Sequence, residues 1–207
     1  MSIGQLPDEE RQDKTQARIL EVALELIAKQ GFAATSTREI SERLGFSKAA
    51  LYYHFRTKDE LLNAIVAPAM SHLNAVVEGK SARPAAGHRR ELLAAYVDLV
   101  ATHEGLIRVL SEDPSVNDRP ALLAAVPLYE RLTQLLSGKD EPDTSLRARV
   151  RVALGGIHSA ILHALPDDDP QVVRESAFSA ACGALGIAGP RGARRRSQAA
   201  HDPILVE

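Results

Sequence analysis

The chain has 207 residues, 45% of them hydrophobic and 25% charged, with a formal net charge of −2. Such a composition belongs to a globular protein able to build a core, with room for one domain or two small ones. It excludes a general nucleic-acid coater, so any DNA affinity has to come from a local basic face. A single cysteine, Cys182, excludes an intramolecular disulfide and suits a reducing compartment. No apolar run approaches the ~18 residues needed to span a bilayer, and the N-terminus is polar and acidic, unlike a secretory signal. The expectation is a cytoplasmic protein with no membrane partner.

Residues 1–13 read as a disordered arm. A first helix is predicted from about Lys14 to Gln30, with Ile19, Val22, Ala23, Leu26 and Ile27 on one core-facing stripe. Gly31 suits the left-handed position after a helix end, and Phe32 is expected to pack back beneath the next two helices. Ser36 precedes Glu39 by three residues, the pattern of a capping box. Gly45 and Phe46 break the helix so started, and Ser47 can cap the next. Thr57 and Glu60 repeat the box. Two short helices joined by a tight glycine turn form a helix-turn-helix, whose second helix enters the DNA major groove. Ile40 with Leu44, and Leu51 with Phe55, turn one face of each helix inward. Lys48, Ala49, Tyr52, Tyr53 and His54 are left for the other face. Between Ser36 and Lys58 stand five Lys or Arg residues, Arg38 among them, against two Glu.

The helix opened at Thr57 continues through Leu62, Ile65, Val66, Ala69, Leu73 and Val76. Pro68 is expected to kink it without ending it. It therefore links the first domain to a second. Residues 79–87 read as a linker rich in Gly, Ala, Pro and Ser. Helices are predicted over about Arg89–Thr102, Gly105–Ser111, Ala121–Leu136 (bent at Pro127), Ser145–Leu165 and Asp169–Leu185. Loops are predicted over 113–120 and 138–144, and the Arg-rich stretch after Gly189 reads as a disordered, solvated tail. No stretch reads as a strand. The fold class is all-α with about nine helices: a helix-turn-helix domain over 14–57, a helical domain over 58–188 and a basic tail over 189–207.

From Thr37 to Leu62 the residues TREISERLGFSKAALYYHFRTKDELL resemble the DNA-binding domain of TetR-family transcriptional regulators. The resemblance implies a homodimeric regulator whose DNA-binding domain precedes a ligand-binding and dimerisation domain. It rests on the glycine turn, Ser-Lys at the start of the second helix, LYYHF at its end, and Lys-Asp-Glu-Leu opening the next. Counting the helix before this stretch, the resemblance covers about 50 residues, and elsewhere only length and helical character agree.

The candidate DNA contacts are Thr37, Arg38, Ser47, Lys48, Ala49, Tyr52, Tyr53, His54 and Lys58. Lys48 lies in the first turn of the second helix, where base contacts concentrate, and a Lys there favours guanine O6 and N7. The helix N-termini at Thr37 and Ser47, and Lys58, suit phosphates. The resemblance gives Tyr52, Tyr53 and His54 backbone or base-edge contacts. It also implies dimerisation through the last two long helices, where Ala153, Ala160, Ala177, Ala180, Ala181 and Ala184 allow close approach, with Val150, Ile157 and Ile161 beside them. The plain alternative for these is intramolecular packing. A dimer would read a pseudo-palindromic double-stranded operator.

A cavity for a small-molecule effector is expected between the C-terminal helices, because prolines 68 and 127 leave packing gaps. Its candidate lining is Met70, Leu73, Tyr96, His103, Tyr129, His158 and Leu162, with His163 a further polar residue near an apolar face. Asp167, Asp168 and Asp169 precede Pro170 and a helix, a place for capping rather than metal. His158 and His163 have the wrong spacing for one metal face. Without a phosphate loop, metal cluster or nucleophile elbow, neither a cofactor nor catalysis is expected. The leading reading is a ligand-released repressor. The competing ones are an effector-independent DNA-binding regulator and a helical small-molecule carrier or enzyme.

Overall fold

A computed structural model describes residues 8–78 and 86–187. Among them stand ten α-helices and no strand. They are α1 (Asp8–Gln30), α2 (Thr37–Leu44), α3 (Lys48–His54), α4 (Lys58–Val77), α5 (Ala86–Thr102), α6 (Glu104–Glu112), α7 (Pro120–Leu123), α8 (Val126–Ser137), α9 (Thr144–Leu162) and α10 (Pro170–Ala184), with a 3-10 turn at Pro114–Val116. No helix of the described residues is long and apolar enough to cross a membrane. Of the linker expected over 79–87, residues 86 and 87 already belong to α5; its residues 79–85 and the basic tail over 189–207 lie outside the described residues.

The local signals in the first domain act as expected. The Ser36, Ser47 and Thr57 hydroxyls accept the backbone N–H of Glu39 (3.1 Å), Ala50 (3.1 Å) and Glu60 (3.0 Å). Only half of each capping box closes on its own helix. The Glu39 carboxylate accepts from Gln30, and the Glu60 carboxylate from the Arg56 N–H. Gly45 holds φ 70°, and its N–H and that of Phe46 return to the Glu42 and Ser41 carbonyls at 3.1 and 2.8 Å. This closes α2 and sets the angle at which α3 departs.

Three boundaries differ from expectation. Helix α1 starts at Asp8, so residues 8–13 of the expected arm are helical; a Lys14–Glu10 pair at 2.9 Å supports the added turn. Residues 1–7 lie outside the described residues. The helix expected to bend at Pro127 is two helices, α7 and α8, with Pro127 in the first turn of α8. Proline fits there because a first-turn N–H has no intrahelical acceptor. Helix α9 stops at Leu162, since Asp168 folds the following turn back by accepting the Leu165 N–H at 2.8 Å.

Two hydrophobic cores result, and α4 belongs to both. Its first half, Leu61 to Ala69, packs with Ile19, Ile27, Phe32, Ile40 and Leu51. Its second half, Leu73 to Val77, packs with Leu93, Tyr96, Leu132, Val150 and Ile157. The helix runs unbroken through Pro68, and Met70 touches both cores. Leu106 and Val109 of α6 and Val116 complete the first core from the second domain.

Gly31 and Gly45 both hold positive φ, but only Gly31 is also crowded: a Cβ there would sit 3.3 Å from an Asp113 carboxylate oxygen. Gly45→Ala is expected to cost about 1–2 kcal/mol for the left-handed backbone alone. Gly31→Ala should cost more in urea unfolding, because the Asp113 contact has to give as well. Equal losses would refute the crowding at Gly31.

Candidate DNA interface and effector cavity

The apolar faces of α2 and α3 are committed to the core, where Ile40, Leu44, Leu51 and Phe55 are buried. This fixes what α3 shows to solvent: Lys48, Ala49, Tyr52 and Tyr53 are exposed and His54 is half-buried. Tyr52 is held in place. Its hydroxyl lies 3.3 Å from that of Thr37 on α2, and the Lys48 ammonium stands 5.6 Å from its ring centre. Tyr53 is 75% exposed, a large aromatic presented to solvent with His54 against its edge. Arg38 pairs with Glu42 at 2.7 Å on the exposed face of α2, a pairing of small energetic weight that a phosphate can displace.

Eight of the nine expected DNA contacts thus lie on α2, α3 and their caps. Lys58 is placed differently. It donates to the Ala33 carbonyl at 3.3 Å and stands 4.2 Å from the centre of the Phe32 ring. Burial, then the nearby Arg119 charge, lowers its pKa. Lys58 belongs to a joint between the domains.

That joint is built around Phe32, which is buried. The Arg119 guanidinium stands 5.2 Å from the same ring centre and reaches Asp59 at 3.4 Å. The Phe32 N–H donates to the Asp113 carboxylate, and the other carboxylate oxygen accepts the Ser115 N–H at 2.9 Å. Partial burial by itself would raise the Asp113 pKa. Hydrogen bonds from Ser115 and the Phe32 N–H, with Lys58 nearby, outweigh it and hold the carboxyl below its ordinary value. Sequence reading missed Asp113 and Arg119. Asp113-Pro114 signals a turn, but nothing local indicates a partner 81 residues away.

A cavity with a volume of about 900 Å³ lies among α5, α8, α9 and the segment leading into α8. Its wall includes Leu122, Ala125, Val126, Val150 and Leu154. At its base the Tyr96 hydroxyl is 2.7 Å from His158 Nε2, with the two rings stacked, and Tyr129 lies beside them. Burial drives the Tyr96 pKa up and the His158 pKa down, so both are neutral near pH 7. Of the expected lining residues, Tyr96, Tyr129 and His158 meet here. Leu73 and Leu162 are buried in the second core. Met70 lines a separate pocket of about 280 Å³ beside Pro120. His103 faces His72 at 3.4 Å between α4 and the start of α6, and His163 is exposed.

Helices α9 and α10 pack along their length and leave an apolar groove lined by Ala153, Gly156, Ala160, Ala177, Ala180 and Ala184. Val152 and Val172 on this face are 66% and 58% exposed. Val150, Ile157 and Ile161, also expected at an interface, point into the second core instead. Ala181 is buried along the groove.

Two short capped helices joined by a left-handed glycine turn form a helix-turn-helix, the arrangement used by DNA-binding regulators. The model of the bacterial regulatory proteins of the tetR family matches residues 19–65. The chain is 34% identical over 64 residues to the uncharacterized HTH-type transcriptional regulator YvkB of Bacillus subtilis, covering 31% of this chain and 34% of that one. It spans only about a third of that relative's length. It is 28% identical over 163 residues to the HTH-type transcriptional repressor Rv1474c of Mycobacterium tuberculosis, covering 74% of this chain and 84% of that one. A tetR-family regulatory protein from Rhodococcus RHA1 aligns in structure with a TM-score of 0.62 and 25% identity, over 85% of this chain and 99% of that one. Residues 19–65 thus carry the DNA-binding domain that the tetR family model describes, and the relatives named here are described as transcriptional regulators.

Protonation should act on stability through His158 and His103, both with lowered pKa, in each case chiefly from burial. A histidine with a depressed folded-state pKa binds fewer protons folded than unfolded. Stability is therefore full above the unfolded value near 6.5 and falls as pH drops below it. Melting temperature should decline between about pH 7 and pH 5, and His158→Gln should flatten that decline. An unchanged slope in the variant would show that His158 is not kept neutral by its site.

Proposed function

We propose that the protein is a repressor that binds a pseudo-palindromic operator as a homodimer and is released from it by a small amphipathic molecule. The observation that carries this reading is the continuity between the cavity and the DNA-binding domain. The segment 113–126 contributes Asn117, Leu122, Ala125 and Val126 to the cavity, and also Asp113 and Arg119 to the joint on Phe32. A molecule that displaces the cavity wall strains the same segment that holds the α1–α2 turn and the start of α4. It favours release only if it binds the released form more tightly. The cavity favours this over an effector-independent regulator, and the description of Rv1474c as a repressor supports the sign. Such a protein acts where the DNA lies, in the cytoplasm.

Footprinting with the purified protein should show a protected pseudo-palindrome. Lys48→Ala and Tyr52→Ala should each weaken binding about tenfold or more, the equivalent of ~1.4 kcal/mol. Intact protection in both variants would sink the assignment of α3 as the reading helix.

The apolar face of α9 and α10, with Val152 and Val172 largely exposed, supports dimerisation through these helices. Two copies would bury it by symmetric contact. Val152→Glu with Ala180→Glu should convert the dimer into a folded monomer in light scattering, with operator affinity lost. A dimer that survives both charges would place the interface elsewhere.

A further inference from the structure

The cavity is charged at its rim and neutral at its base. Glu130, Asp140, Glu141, Arg147 and Arg151 line it from exposed positions, whereas Tyr96, Val150 and Leu154 are buried. Of the two rim cations, Arg147 already donates to the Pro142 carbonyl at 2.7 Å and lies 3.3 Å from the Thr144 hydroxyl. The uncharged polar groups of the lining are the Tyr96–His158 pair at 2.7 Å, with Tyr96 buried, the exposed Tyr129 and Asn117, and the half-buried Thr133 and Gln134. Neither member of the pair carries a formal charge near pH 7.

We infer that the effector is an uncharged molecule with a single oxygen head group, a hydroxyl or carbonyl, seated against His158 and Tyr129, and an apolar body along Leu122, Val126 and Leu154. This rests on the effector reading of the cavity and narrows its chemistry. A carboxylate or ammonium at the base would lose its hydration without meeting an opposite charge, a cost that far exceeds the gain of one neutral hydrogen bond. A hydroxyl or carbonyl exchanges water for His158 and Tyr129 at little cost. Tyr96 acts as a positioning residue: its ring is fully buried, and its hydroxyl fixes the orientation of the imidazole that meets the ligand. The volume of about 900 Å³ fits a body of drug-like size.

The test compares three probes that share a tail: 4-octylphenol, 4-octylbenzoate and 4-octylbenzylammonium, titrated calorimetrically into the full-length protein. The phenol should bind once per chain, at least tenfold tighter than either charged probe. Leu154→Trp, which fills the cavity, should abolish binding. His158→Leu should weaken the phenol about tenfold, and Tyr96→Phe, which removes one oxygen and keeps the ring, several-fold, with circular dichroism confirming folding. If His158→Leu does not fold, Tyr96→Phe decides. Equal or tighter binding of a charged probe, or unchanged phenol affinity in Tyr96→Phe, overturns the inference. Should a charged probe bind and release DNA, the effector reading survives and this chemistry fails. Should the phenol bind as expected and never release DNA, the chemistry survives and the regulatory reading fails. No binding by any probe overturns both.

Discussion

The backbone N–H of Phe32, donated to Asp113, is the contact on which the two halves of this protein depend. It ties the turn between α1 and α2, which sets the position of the recognition pair, to the end of α6 in the second domain. The Phe32 ring beneath it receives cations from both sides of the boundary, Lys58 at the start of α4 and Arg119 before α7. A carboxylate on a partly buried N–H is among the stronger hydrogen bonds a protein makes, and its loss leaves the donor unsatisfied. Gly31 is required beside it for space as well as for backbone conformation.

This joint gives α4 its role. The helix is rooted in the first core by Leu61, Leu62 and Ile65 and in the second by Leu73 and Val76, with Pro68 and Met70 between the two groups. In the proposed release, a displacement of its C-terminal half would act on the domain that holds α3. The segment 113–126 offers a second route, since it touches Phe32 at one end and the cavity at the other. Both routes end on the same few residues, Phe32, Lys58 and Asp59. Packed interfaces of this kind switch between discrete arrangements more readily than they deform continuously.

The polar pair at the base of the cavity answers to a similar constraint. Burying Tyr96 and most of His158 leaves each needing a hydrogen bond, and each supplies the other's. The pair is neutral because burial penalises both charged forms. It gives the pocket a buried polar spot without a buried charge.

The sequence by itself determined the parts governed by near neighbours. Caps at Ser36, Ser47 and Thr57, the left-handed turn at Gly45 and the inward pairs Ile40–Leu44 and Leu51–Phe55 act over three or four residues. Propensity and periodicity therefore reveal them, and with them the helix-turn-helix. Tertiary structure alone decided which outward groups are available. Lys58 has the position of a phosphate ligand in the sequence, and the fold adds contacts to the Ala33 carbonyl and the Phe32 ring that no local pattern encodes. Val150 and Ile157 carry the same helical stripe as an interface would, yet packing turns them inward. Tyr96 and His158 stand 62 residues apart, and Phe32 and Asp113 stand 81 apart. No local pattern encodes such pairs, because their partners are chosen by how whole helices pack and by the requirement that each buried polar group be satisfied.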